Sequence, residues 1–510
     1  MLTFQGEIHV AGGKIRDLKP QFHQSIVRTE QREYRFDNGW ILPGLVDTHI
    51  HLVGLGESLT ALVDLSACRS PEECVAVLQQ QPAGRGEWLL GRGWDQQRWA
   101  SPQFPEAQLL DQAFPQQPVF LLRSDGHAAW VNTAALRKAG ITARSADPPG
   151  GKILRNERGA PTGILLDEAM ELVRRHIPPP TPEEIQHFIQ VATQSLVQLG
   201  ITEVHDMDVD PQWVPIFQRL AEEGTLPLRV QSYVRGQHDE WLSARLLPAR
   251  GEFFQLTGIK LYADGALGSY GAALQQPYAD HPETSGLLLL DEDTVFEKLG
   301  WIVEVEWDVA IHAIGDLAVH KVLNWYERLR REHIADPARR LRIEHAQIVA
   351  PADLPRFAEL DVLPAVQPLH CLEDASMAIQ RLGDRAQYAY PWRSLRNAGT
   401  VFGAGSDAPV VSANPWLGMK AFIERHPPGW EQPFFPQERL TIEEALLAYT
   451  EWAHQLSMMH IRRGKLREQF DADFIVVDRN PLQTPDPAQV KILATFVAGE
   501  CVYEAASATA

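Results

Sequence analysis

Eight short runs rich in apolar and β-branched residues recur along this chain, and seven of them follow one another at intervals that a helix can fill. They are residues 45–51, 201–206, 228–234, 256–263, 308–313, 341–345, 362–367 and 400–405. This alternation signals βα units and a parallel sheet, and no other feature limits the fold so tightly. A chain of 510 residues exceeds what one core usually organises, so a large barrel or sheet domain with additions is expected.

The rhythm breaks once. Residues 52–200 lie between the first run and the second, and they carry strand-like runs of their own at 87–90 and 119–123, several tryptophans and a proline-rich exit at Pro178 to Pro180. A structureless loop of that length is unusual, so an inserted subdomain covering one end of the barrel is expected. Short alternating runs at 4–10 and 34–36 match others at 474–477, 492–497 and 501–503. Neither group could form a core separately, so both chain ends should meet in one small β domain. The expected boundaries are 1–44 with 465–510 for that domain, 45–66 with 185–464 for the barrel, and 67–184 for the insertion.

The formal charge is 47 − 66 = −19, a field that repels phosphate backbones and anionic membranes. Nucleic acid is therefore not an expected partner. Cys68, Cys74, Cys371 and Cys501 show no paired spacing, which suits a reducing compartment. With no basic leader and no apolar run of membrane-spanning length, the expectation is a soluble cytoplasmic protein acting on a small molecule.

The first run contains His49 and His51, two apart in a strand, so both imidazoles face one side. His312, His345 and Asp407 each stand at the C-terminal end of another run. In a closed parallel barrel these ends surround one mouth, where barrel enzymes hold their chemistry. Each residue alone is more often structural; their shared position favours a metal site. Lys260, between Ile259 and Leu261, is costly to bury as an ammonium. It either takes up carbon dioxide to give a carbamate that can bridge two cations, or snorkels to water, or pairs with Asp264.

The motifs PGLVDTHIHL, SDGHAAWVNTAAL, PTGILLDEA, KLYADGALGS, IHAIGDLAV, IEHAQ, QPLH, GSDAPV and DADFIVVDRNP run through nearly the whole chain. Together they resemble the amidohydrolase superfamily, in its amidohydrolase-3, YtcJ-like branch, which includes N-substituted formamide deformylase. The resemblance implies a (β/α)8 TIM barrel, a composite β-sandwich from both termini and a metal site that hydrolyses amide or related bonds. It implies that His49 and His51 bind the more buried metal, that Lys260 bridges as a carbamate, and that His312 and His345 bind the second. Asp407 is then both ligand and general base. One or two ions are compatible with the family.

Zinc suits an imidazole and carboxylate site and lowers the pKa of a water towards neutrality. Hydrolysis of a C–N bond in an N-acyl or N-formyl amine is the leading expectation, with a non-catalytic regulatory protein on the same barrel as the alternative. Trp94, Asp95 and His127 are candidates for lining the substrate cavity, although the tryptophans equally suit the core of the insertion. His370 is a candidate for contact with substrate, and His205 reads as structural. Gly265, Gly268, Gly403 and Gly405 form no phosphate-binding motif and read as tight strand-to-loop turns. Ser406 lacks a nucleophile elbow. Relatives of the fold often pair, which leaves a homodimer open.

Overall fold

The computed structural model describes residues 2–506 except 22, 81, 82, 125, 127, 149, 238, 239 and 333–338. His127 is among those outside the described residues. The chain divides into two compact units, residues 1–52 with 193–510, and residues 53–192.

The first unit is built on eight parallel strands in sequential order: β1 (Leu45–Ile50), β2 (Ile201–Val209), β3 (Arg229–Arg235), β4 (Phe254–Tyr262), β5 (Asp308–Ala313), β6 (Leu341–His345), β7 (Val362–Val366) and β8 (Gly403–Ala404). Every residue of β1, β5, β6 and β7 is buried. Helices pack outside such a sheet and side chains fill its interior, so the strands read as continuous apolar runs rather than alternating ones. All eight runs seen in the sequence are strands. The last is the shortest, because the helix Trp392–Asn397 and a left-handed Gly399 carry the chain almost to Gly403.

Two backbone hydrogen bonds join the first strand to the segment after the last, Asp407 N to His49 O at 2.7 Å and His51 N to Ala408 O at 2.9 Å. Asp47 reinforces this seam by accepting from Ser406 Oγ at 2.5 Å, Ser406 N at 3.0 Å and His49 N at 3.1 Å. Ser406 thus serves closure. Gly403 and Gly405 correct the turn reading, since neither has positive φ. A Cβ on Gly403 would meet Thr48 Cγ2 at 2.6 Å, and one on Gly405 would meet His49 N at 2.5 Å. Close approach of β8 to β1 is what these glycines permit.

Both chain ends form sheets in this same unit. One has the order Lys14–Pro20, Gly6–Ala11, Gln24–Arg28, Glu33–Asp37; the other has Glu500–Glu504, Ile492–Val497, Phe474–Val477, Trp40–Pro43. Their inner faces share a core of Ile8, Val10, Val27 and Phe36 with Ile41, Phe474, Val476 and Phe496. Asp471 and Asp473, from the DADFIVV motif, tie this layer down: Asp473 receives Arg229 through two bonds of 2.8 and 3.0 Å, and Asp471 receives Lys14, Arg462 and Arg463.

The second unit contains a seven-stranded sheet with a core on each face. It takes in Val63–Asp64, upstream of where the insertion was expected to begin. Asn132 of the WVNTAAL motif caps the helix Thr133–Lys138. Its side-chain oxygen accepts from Ala135 N and Val119 N, and its amide donates to Phe114 O and Gln117 O. That inventory fully satisfies an asparagine and gives this motif a structural basis. Among the described residues no helix is long and apolar enough to cross a membrane.

Candidate active site

Seven of the side chains singled out in the sequence, His49, His51, Lys260, His312, His345, His370 and Asp407, converge at the C-terminal mouth of the barrel. Lys260 and His312 come from adjacent strands, with Lys260 opposite Ala310 and Tyr262 opposite His312 in the register. His49 and His345 have ring centroids 5.1 Å apart, and His312 and His345 are 4.4 Å apart. Strict strand alternation would send Glu344 and His345 to opposite sides. His345 instead has a φ of 72°, and this left-handed turn brings both residues to the same site. Asp407 has a φ of 60°, in the region that Asp tolerates better than most side chains.

Asp407 is the centre of the group. Its Oδ1 lies 3.0 Å from His51 Nε2 and 3.5 Å from His49 Nε2, and its Oδ2 lies 3.8 Å from His370 Nε2. Two sets of potential ligand atoms therefore share it, His49 with His51 and His345 with His370. His312 belongs to neither set. Its Nε2 is 3.6 Å from Asp264 Oδ1, although its ring packs against His345.

The partners of the other ring nitrogens decide the tautomers. His51 Nδ1 donates to Met207 O at 3.0 Å, and His49 Nδ1 donates to Glu344 Oε2 at 2.6 Å, because a carbonyl or carboxylate oxygen can only accept. The Nε2 lone pair of His49 is then left facing a carboxylate, as is that of His51 whenever its ring is neutral. Among the described residues His49 Nε2, His345 Nδ1, His370 Nε2 and Asp407 Oδ1 are buried with no hydrogen-bond partner. Acceptors gathered this way need a positive charge between them. The donor set, imidazole nitrogen plus carboxylate, suits a divalent transition metal.

The electrostatics agree. Burial and the neighbouring Lys260 push the pKa of His312 down to about 3, and burial holds His49 and His345 low, so these rings are neutral and ligand-competent at pH 7. Burial opposes ionisation of Asp407, but any proton taken up by the facing rings of His49, His51 or His345 favours the carboxylate, and its pKa lies well below the usual carboxyl range. Burial likewise opposes a charged His51, yet the Asp407 carboxylate raises its pKa. Lys260 is 1% exposed, and burial lowers its pKa. Its Nζ sits 4.3 Å from the centre of the Tyr262 ring. Asp264 is not its partner: that carboxylate accepts from Ala273 N, Ile314 N and Gly315 N.

The profile of the amidohydrolase family matches residues 37–503. The chain belongs to this family. The resemblance carried by the motifs is therefore correct, and family membership places this chain among the amidohydrolase-superfamily hydrolases. It is 33% identical over 493 residues to the putative amidohydrolase YtcJ of Bacillus subtilis (strain 168), covering 93% of this chain and 91% of that one. It is 25% identical over 488 residues to N-substituted formamide deformylase of Arthrobacter pascens, covering 91% and 88%. Among solved structures, an uncharacterized metal-dependent hydrolase from Pyrococcus horikoshii ot3 superposes with a TM-score of 0.77 at 27% identity, covering 96% of this chain and 99% of that one.

The remaining candidates have clear structural work. Trp94 is fully buried in one core of the second unit, near Trp99 and Trp130, and its indole donates to Leu121 O at 2.9 Å. Asp95 caps the short helix Gln96–Arg98 and pairs with Arg123 at 3.2 Å. Sequence reasoning missed Glu344 and Arg342, both completely buried, and Asp47. Glu344 stands next to His345 in IEHAQ, and a charged pair two apart in an otherwise apolar strand was the available signal.

Proposed function

We propose that this amidohydrolase is a metal-dependent hydrolase that cleaves a C–N bond in a small N-acyl or N-formyl amine. The observation that carries the reading is the cluster of buried, unpartnered acceptors around Asp407. His49, His51 and Asp407 would hold one divalent cation, zinc by preference for these donors. His345, with His312 or His370 beside it, would hold a second, and Lys260 would bridge as a carbamate. The family's deformylase relative supports the C–N class by its name. When bound, such a cation lowers the pKa of a water and polarises a carbonyl.

The protein's own groups supply the rest. Asp407, anionic and with its two oxygens facing different histidines, takes the proton from the attacking water and returns it to the leaving nitrogen, so the amine departs neutral. The fixed tautomers of His49 and His51 keep their lone pairs on the site throughout the cycle.

The test is a panel of N-formyl amines, N-acyl amines, cyclic amides and esters assayed with zinc-loaded protein before and after chelation. At least one amide should be hydrolysed, with activity lost on chelation and restored by zinc. Cleavage of esters alone would overturn the C–N assignment, and hydrolysis indifferent to chelation would overturn the metal.

A further inference from the structure

We propose that Glu344 is the positioning carboxylate of the cation site, fixing His49 so that its Nε2 faces Asp407, with Arg342 fixing Glu344 in turn. The inference rests on the cation reading above and extends it to residues that touch neither ion nor substrate.

Glu344 and Arg342 are each 0% exposed. Arg342 Nε donates to Glu344 Oε1 at 2.8 Å and Nη2 to Glu344 Oε2 at 3.2 Å, the forked geometry in which a guanidinium holds a carboxylate in one orientation. Oε2 is also the atom that receives His49 Nδ1. The same guanidinium holds the strand bearing His49, since Nη2 donates to Thr48 O at 2.7 Å. Ring and backbone of His49 are therefore referred to one rigid group.

The chain of donors has a direction. A guanidinium has no acceptor, so where Arg342 Nη1 lies 2.8 Å from His205 Nδ1, the ring nitrogen must accept. His205 then carries its proton on Nε2, which lies 3.5 Å from Glu203 Oε1. Glu203 is held by Arg463 Nη1 at 2.9 Å and Gln231 Nε2 at 2.6 Å. Arg342 Nη1 is also 3.3 Å from Tyr233 Oη, so all three guanidinium nitrogens are engaged. From Arg342 through Glu344 to His49 each bond has one possible donor, and the sequence ends on a free lone pair on His49 Nε2. A buried ion pair serving stability alone would not need to end on that nitrogen. Carboxylate partners of this kind raise ligand basicity and set ring orientation, and removing one typically costs 10–100-fold in metal affinity.

The experiment measures Zn2+ affinity of metal-free full-length protein by competition with a chromophoric chelator, for wild type, Glu344→Gln and Glu344→Asp. In parallel, 15N NMR of histidine-labelled wild type reads the His49 tautomer, with the signal assigned by its loss in His49→Asn. Glu344→Gln should bind Zn2+ about 10–100-fold more weakly, Glu344→Asp should recover part of the loss, and metal-free His49 should carry its proton on Nδ1. A folded Glu344→Gln protein with wild-type affinity would overturn the proposal. So would a proton on His49 Nε2, which decides the matter even if the glutamine variant does not fold. A wild type that binds no Zn2+ sinks the underlying cation reading, whereas Zn2+ binding indifferent to Glu344 sinks only the positioning role.

Discussion

If the proposed hydrolysis is the reaction, Asp407→Asn should lower kcat on a panel amide by about 10²–10⁴-fold, the usual contribution of a positioned general base. The substitution keeps the shape of the side chain, and Asn accepts the left-handed backbone at this position as readily as Asp. The bond from the residue 407 amide to His49 O, which closes the barrel, involves no side-chain atom and is retained. What is lost is the anionic oxygen between His49 and His51 and the acceptor that faces His370. Steady-state kinetics on the zinc-loaded variant, with its fold checked by circular dichroism, measures the effect. Turnover within a factor of three of wild type would remove Asp407 from the chemistry.

The largest effect on stability is expected at Arg342. Arg342→Leu removes the partner of a fully buried Glu344 and strips donors from Thr48 O and His205 Nδ1 at once. Burial would push the Glu344 pKa up, and it is Arg342 and His49 that bring it down to about 2. An uncompensated buried charge of this kind costs about 3–5 kcal/mol. Thermal denaturation should show the barrel transition displaced downward, or no cooperative transition at all. A loss below about 1 kcal/mol would mean that the lumen is wetter than its burial indicates. Replacing Arg342 and Glu344 together by apolar residues should be milder than the single change, because nothing charged is then left behind. The double variant should still lose cation affinity.

Much of the barrel was legible because buried parallel strands leave an unambiguous trace. The runs at 308–313 and 341–345 coincide with β5 and β6 because both faces of those strands are covered, so that apolar residues dominate them and the polar positions are few and buried. The convergence of His49, His51, His312, His345 and Asp407 followed from topology, since the C-terminal ends of parallel strands meet at one mouth. Glu344 and Arg342 were easy to overlook for the complementary reason. A charged residue in a strand reads as one that faces solvent, and only closure of the sheet turns that face into a polar lumen. Asp47 and Ser406 pair across the seam where β1 meets the loop leaving β8, a contact that no local pattern encodes. Trp94 and Asp95 lie close together in a motif rich in aromatic and polar groups, the composition of a binding cavity and equally that of a packed core with a capped helix. Glycines 403 and 405 were assigned to turns because glycine in sequence signals conformational freedom more often than close approach.

The central claim is that the acceptors around Asp407 are a cation site. The measurement that tests it most directly is anomalous diffraction from crystals of the protein grown with Zn2+, collected on both sides of the zinc absorption edge. A peak within coordination distance of His49 Nε2, His51 Nε2 and an Asp407 oxygen is the expected result. Density that shows a direct His51 to Asp407 hydrogen bond, with no anomalous signal at the strand ends, would contradict it.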